Sequence, residues 1–361
     1  MIYKNYKIKV YSDLEQLRHQ WIEFEKISFS YCFQSYDWVN NWISTIGNEL
    51  GYIPKIAIVK NKDGEILMIL PLALRKSYKL TILSWIGGDY GSGLYSKNLY
   101  SYINKNSFLC IWGQILKNIK KYDLIYLTSQ PFFISSLENP FVKFFNNYPY
   151  HALSHQICLG NDWDSFKKNI KKKLLKDTER QQKRLANIGR VEFKIANKEN
   201  MISFTEKMIF LKSAQYKLKG VENQFINKQN TLFYKNFKIN DSSNLIVHVS
   251  HLLVDKSVIA THWGIIDNLN KVLYYLMPAY DNIWSKYSPG RVHMIELIRW
   301  CINNNIKLFD MTGGNEPYKL DWGNQNMNLY NYLSSSTLAG FLFKCFLKLR
   351  NIRRRKNIVK R

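Results

Sequence analysis

The 361-residue sequence predicts an α/β (α+β) chain of two units, each a mixed, mostly antiparallel sheet flanked by helices. Three observations carry this. The length exceeds one typical domain. The run 272–323 reads as strand, loop, helix, strand, loop. The two halves also present strands and helices in a similar order, although no sequence repeat is detectable. The spacing puts an N-terminal domain at 1–160, a basic bridging helix at 161–189, a C-terminal domain at 190–337 and a basic amphipathic tail at 338–361.

Composition narrows the class. Hydrophobic content of 46% and aromatic content of 15% supply buried cores and exclude a disordered chain. Lys and Arg number 52 against 27 Asp and Glu, a formal charge of +25. Such a field attracts nucleic acid, anionic membrane or acidic substrates. Lysine far outnumbers arginine, and Asn, Ile and Tyr are abundant, so part of the charge is compositional bias and selects no one partner. The five cysteines are odd in number and widely spaced, with no C-x-x-C, which indicates neither a disulfide framework nor a zinc site. A reducing cytoplasm is the expected home. MIYKNYKIKV lacks the apolar core of a signal peptide, and the longest apolar run, 66–74, is too short to span a bilayer.

Taken in order, residues 7–10 alternate as a strand, and Asp13 caps a helix with apolar Leu14, Leu17, Trp21, Ile22 and Phe24. In FQSYDWVNNWI (33–43), Ser35 is the N-cap, and Trp38 and Trp42 share a face, as core aromatics rather than as a cleft lining. Residues 56–59 and 65–74 flank a Gly-containing turn at 61–64, a β-hairpin. Strand 80–86 runs into GGDYGSG (87–93), a permissive loop that matches no nucleotide fingerprint. A helix at 106–118 and a strand at 123–128 complete the first half. Residues 163–188 read as one long basic helix. A strand at 190–195, helices at 201–218 and 224–239, and strands at 245–255, 257–267 and 273–280 follow. The helix of the 272–323 run starts after Ser288-Pro289-Gly290 and ends in Asn303-Asn304-Asn305. Its N-terminus, with Arg291, reads either as an anion site or as an ordinary strand-helix-strand unit with a Pro-initiated helix. In 338–361 an apolar half precedes a basic half, which suits either a helix on an anionic membrane surface or a frayed tail.

Several chemistries are disfavoured. There is no G-x-x-x-x-G-K-[ST], no G-x-S-x-G and no H-E-x-x-H. His248 and His251 fall on opposite faces of one strand, and no histidine has metal-ligand company, so no metal is expected.

At this point an ordered set of motifs resembles a known family. FQSYDWVNNW, KKKLLKDTERQQKRLANIG, VLYYLMPAYD, SPGRVHMIELIRW and FDMTGGNEPYKLDWG resemble, in that order, the CelD/BcsL-like (cellulose biosynthesis) acetyltransferases of the GNAT superfamily, relatives of the FemAB-type tandem-GNAT enzymes. Two departures stand out. Thr312-Gly313 sits where Arg-Gly is common, and Tyr287-Ser288-Pro289-Gly290 replaces the commoner Q/R-x-x-G-x-G/A. Pro289 removes one backbone donor.

The resemblance implies two GNAT-like units in tandem, with the acyl donor bound in the C-terminal one. The donor it implies is acyl-CoA, acetyl-CoA foremost, used as a co-substrate by an N- or O-acyltransferase on a sugar or cell-envelope polysaccharide precursor. The donor would lie along Met277 and Ala279 and against Tyr287, Ser288, Gly290, Arg291 and Val292. Asp310 or Glu316 would serve as base, Tyr318 would protonate the departing thiolate and Lys319 would neutralise charge. Asp89, Tyr90, Trp263, Tyr280 and Asp281 would contact the acceptor. The expected partners are a small-molecule or glycan acceptor, an acyl-carrier protein, and an anionic membrane met by the tail from its inner, cytoplasmic face. The alternatives are an aminoacyl-tRNA-dependent transferase of the FemAB kind, the one case involving nucleic acid, and a non-catalytic basic RNA- or membrane-binding module.

Overall fold

Strands form where β-branched and aromatic residues run together, and the polar turns between them set the sheet order. The computed structural model describes residues 6–359, with side chains through residue 351. The first unit takes the chain as far as Ser154 and again from Met327; the second is His155–Asn326.

In the first unit the strand order is Tyr6–Tyr11, Ile53–Asn61, Ile66–Ser77, Leu80–Trp85, Leu124–Pro131, Gln325–Ser335. Neighbours are antiparallel except Leu80–Trp85 and Leu124–Pro131, where Ile82 faces Leu124 and Leu83 faces Ile125 in parallel. Helix Lys105–Ile119 lies between those two in sequence and buries Phe108, Ile111, Trp112 and Ile115 against the sheet. Its cap is reciprocal, with Asn104 and Ser107 each accepting the other's backbone N–H. The other sheet face packs Trp21, Tyr36 and Val39. Ser35 caps helix Tyr36–Trp42 by accepting the Trp38 N–H, and buried Trp38 donates its indole N–H to the Gly87 carbonyl.

The return of the chain to the first unit differs from the expected boundaries, which ended the C-terminal domain at 337 and set the tail apart. Strand Gln325–Ser335 pairs with Leu124–Pro131. It hides in the sequence because an inward position is Asn331, buried and accepting the Ser129 N–H. Helix Leu338–Val359 follows; its basic residues from 352 onward have side chains outside the described residues.

In the second unit Val191–Ile195, Leu245–Val254, Ser257–Asp267 and Val272–Tyr280 form an antiparallel meander, and Leu308–Gly313 adds in parallel beside the last. Helix Pro289–Asn303 makes the crossover and buries Val292, Ile295, Leu297 and Ile298. His248 packs on Trp300 of this helix, whereas His251 stacks on Phe204 of helix Met201–Leu218, so the two do face opposite sides.

Three expected elements differ. The helix expected over 163–188 is two, Trp163–Asn169 and Lys172–Ala186, because buried, β-branched Ile170 is extended. Lysines at 167, 168, 171 and 172 repel at i,i+4 there and weaken continuation. The helix expected over 224–239 is interrupted at Asn227, whose side chain instead accepts the Gln229 N–H and starts Lys228–Lys235. Residues 317–322, expected as loop, form helix Pro317–Trp322. Among the described residues no helix is long and apolar enough to cross a membrane, and no cluster of His, Cys, Asp and Glu is placed to hold a metal.

The core of the second unit buries three histidines side by side. The His262 ring lies 5.9 Å from His248 and 6.3 Å from His293. Both ring nitrogens of His248 and His262 lack partners, and His293 Nε2 meets Ser250 Oγ. Burial pushes His248 down to about 4 and His293 to about 3. Between these values and the unfolded value near 6.5 the unfolded chain binds more protons, so stability falls as pH falls through that window. We expect the urea midpoint to drop between pH 7 and pH 4.5. Replacing His248 by Gln should flatten that dependence by on the order of 3 kcal/mol. An unaltered pH slope in the variant would show that His248 is not held neutral.

Candidate functional site

The site begins with a register slip. Strands Ser257–Asp267 and Val272–Tyr280 pair residue for residue from Asp267 and Val272 to Gly264 and Tyr275, then resume at Trp263 and Met277. Leu276 is therefore an extra residue, a β-bulge that bends its strand. Gly264 permits it, since a Cβ there would sit 2.3 Å from the Tyr274 carbonyl oxygen. On the other edge, parallel pairing with Leu308–Gly313 covers only Val272 to Tyr274. Beyond Tyr274 the two strands part, and a cleft of about 580 Å³ opens, well within the size range of small-molecule sites.

One lip is the start of helix Pro289–Asn303. Ser288 is left-handed (φ 50°), and its carbonyl accepts the N–H groups of Arg291 and Val292. Pro289 has no N–H, so of the first-turn amides Gly290 alone is left to a ligand. Arg291 is committed, paired with Asp177 at 2.6 Å and donating to Ser288 Oγ at 2.9 Å.

The other lip is residues 310–322. Fully buried Asp310 accepts the Thr312 N–H at 2.7 Å and a Gln156 side-chain N–H at 2.8 Å. It thereby holds Thr312 at a left-handed φ of 58°. Lys319 is buried, donates to the Gly313 carbonyl at 2.8 Å and lies 3.2 Å from Glu316 Oε2. Gly314 makes this approach possible, because a Cβ there would lie 2.1 Å from Glu316 Oε2 and 2.6 Å from Lys319 Nζ. Burial first, then the Glu316 charge, pushes the Tyr318 phenol up, so it keeps its proton at neutral pH. His155, pushed down by burial, touches the Gly314 carbonyl from behind at 3.1 Å.

The third wall is helix Met201–Leu218. Lys212 Nζ donates to the Pro278 carbonyl at 2.8 Å, and Gln215 donates to the Tyr280 carbonyl at 3.2 Å. Burial, then the charge of Lys219, brings Lys212 down to about 8; Glu316 opposes the shift.

Of the residues expected from sequence, the cleft gathers Ala279, Tyr280, Ser288, Gly290, Arg291, Glu316, Tyr318 and Lys319. The others lie elsewhere. Asp310 is buried, bonded to the Thr312 amide and to Gln156, and does not line the cleft. Met277 turns its sulfur to Tyr216 and Gln224. Val292 is core, beside Leu185 and Leu252. Tyr287 stacks under Arg184 and Lys286. Asp281 caps a 3₁₀ turn by accepting the Ile283 N–H. Trp263 is buried among Phe233, Tyr234 and Phe237. Asp89 and Tyr90 belong to the first unit, where Tyr90 is fully buried, bonded through its hydroxyl to Ser154 and through its carbonyl to Gln34. Sequence reasoning missed Lys212, Gln215, Asp177 and Gln156. The one signal was a helix whose buried stripe (Thr205, Met208, Leu211, Gln215) includes a polar terminus, with Lys212 on its flank.

Residues 172–320, all within the second unit, match the sequence model of an acetyltransferase (GNAT) domain. Three solved structures share the fold of nearly the whole chain. FemX aligns at 11% identity over 91% of this chain and 95% of its own, TM-score 0.56. A protein of unknown function from Bacteroides thetaiotaomicron aligns at 12% identity over 91% and 100%, TM-score 0.56. The C-terminal domain of a putative lysylphosphatidylglycerol synthetase from Agrobacterium fabrum aligns at 7% identity over 94% and 96%, TM-score 0.54. No curated protein sequence matches the chain. The second unit thus matches the GNAT acetyltransferase domain, and the chain as a whole has a mixed α/β fold, a mostly antiparallel sheet flanked by helices, that these structures share.

Lys212 offers a direct check on the cleft's electrostatics. After ¹³C-methylation of the lysines, one NMR resonance should titrate near pH 8, well below the surface lysines, and vanish in Lys212→Gln. Titration of every lysine near 10 would show that Lys212 is solvated.

Proposed function

We propose that the second unit's cleft binds an acyl-CoA, acetyl-CoA foremost, and transfers the acyl group to an amine or hydroxyl of a sugar or other cell-envelope polysaccharide precursor. The observation that carries this is the parted strand edge at Tyr275 to Tyr280, which faces a helix start and a cluster of Glu316, Tyr318 and Lys319 in one cleft. The GNAT match over 172–320 supports acyl transfer. The motif resemblance to CelD/BcsL-like acetyltransferases supports polysaccharide chemistry in the cytoplasm.

The cleft fits a thioester donor in part. The strand edge offers backbone groups to an amide-bearing arm. Gly290 N–H, Lys212 and Lys219 are the groups for its anionic end. The donor supplies an activated carbonyl; the chain's own residues manage protons and charge. Glu316, exposed at its tip, takes the proton of the attacking amine or hydroxyl, directly or through water. The new bond forms at the carbonyl carbon as its bond to sulfur breaks. Lys319 stabilises the charge that develops on oxygen. Tyr318 gives its proton to the departing thiolate and is reprotonated from solvent.

A second reading, transfer from an aminoacyl-tRNA, has one specific observation in its favour. The helix start retains a single free amide and a neutralised arginine, a poor pyrophosphate cradle. The basic face of Lys172–Ala186 would suit the polyanion.

Thermal unfolding with acetyl-CoA, acyl-carrier protein and aminoacyl-tRNA separates these readings. Stabilisation by CoA thioesters alone is expected; stabilisation by tRNA alone would replace the first reading with the second. Given a thioester-dependent activity, Lys319→Met should lower kcat about 10²–10³-fold and Tyr318→Phe about tenfold or more. Activity of Tyr318→Phe equal to wild type would remove the phenol from the scheme.

A further inference from the structure

Helix Leu338–Val359 in the first unit is apolar on two sides. Its inner side is explained: Leu347 packs with Leu80, Ile82, Leu124 and Leu333, and Phe343 lies against Tyr78. Its outer side is not. Leu338, Phe341, Leu342, Phe346 and Leu349 are 76%, 47%, 63%, 52% and 61% exposed. At about 100° per residue the five cover one arc of roughly 140°, the arc a water-facing helix fills with polar residues. We propose that this face seats the protein on a bilayer rich in anionic phospholipid, with the five side chains entering the headgroup–acyl boundary.

Charge selects the occupant. Residues 338–361 contain nine Lys or Arg and no Asp or Glu. Lys344 and Arg350 lie over the rings of Phe341 and Phe346, so their stems flank the apolar arc with the cations outward. Lys79 adjoins Tyr78, and Lys120 and Lys121 precede Tyr122, whose carbonyl accepts from Ser336 at the helix entry. The nearby carboxylate, Asp123, is engaged by Thr337 and the Thr81 N–H. Beside the helix a groove of about 220 Å³ is lined by Arg350, His151, Tyr150 and Tyr126, with no acidic residue, and suits a phosphate headgroup. A second copy would bring two sets of nine cations together. A nucleic acid would leave five apolar side chains in water. An anionic bilayer satisfies both the apolar arc and its basic rim.

Flotation of the full chain with vesicles tests this without any need for turnover, so the outcome is separate from the acyl-transfer reading. Binding to mixed phosphatidylcholine–phosphatidylglycerol vesicles is expected, with little to phosphatidylcholine alone. Leu342→Glu with Leu349→Glu, both on exposed positions, should weaken it about tenfold or more while the unfolding temperature stays that of the wild type. Three results would overturn the proposal: no flotation with the anionic vesicles, equal flotation of the double variant, or a dimer in sedimentation that the same substitutions dissolve.

Discussion

The second unit depends on one extra residue. Leu276 has no partner across the sheet, and the bulge it makes bends Val272–Tyr280 away from Leu308–Gly313 just after their last pair, Tyr274 with Asp310. A sheet with that pairing continued would leave no free edge and no cleft. The bulge rests on Gly264, where the partner strand's carbonyl comes too close for any side chain. A backbone irregularity, rather than any catalytic side chain, therefore creates the place in which chemistry can happen.

Once the strands part, the far lip must be rebuilt without sheet hydrogen bonds, and its residues are spent largely on that task. Asp310 satisfies the Thr312 amide in a conformation β-branched residues avoid. The Gly313 carbonyl and the missing Cβ of Gly314 bring Lys319 of a short helix to Glu316 at that helix's N-cap. The same run that reads as a dense set of catalytic candidates thus divides into a scaffold (Asp310, Thr312, Gly314) and groups that face the cleft (Glu316, Tyr318, Lys319).

What was legible follows from the range of the interactions. Hydrophobic period and turn residues are local, so the three successive strands over 245–280, the strand–helix–strand order of 272–323 and a helix start within two residues of Pro289 could be read from the chain. The cleft's long-range partners could not. Asp177 reaches Arg291 across 114 positions, Gln156 reaches Asp310 across 154, and Lys212 reaches Pro278 across 66. Gln156 and Lys212 stand in no motif, and nothing within KKKLLKDTERQQKRLANIG marks Asp177 as the partner of Arg291. The strand at 325–335 escaped for a related reason: Asn331 is buried only because Ser129, far away in sequence, supplies its partner. At Ile170 local repulsion among lysines and the gain from burying one apolar side chain outweighed a helical pattern that looked continuous.

The charge of the chain shows why totals say little about sites. A net +25 suggests anion binding everywhere, and Arg291 at a helix start looked like its focus. Yet Arg291 is neutralised by Asp177, at a separation where two half-buried charges largely cancel for a third. Lys212 is different: its ammonium leans on a carbonyl dipole, and burial, then the neighbouring charge of Lys219, makes it less willing to hold its proton. An anion beside Lys212 would offset its burial and that repulsion, whereas Arg291 already has a counter-charge in Asp177. The attraction has moved from the helix that the sequence advertises to the opposite wall, where a lysine is partly starved of solvent.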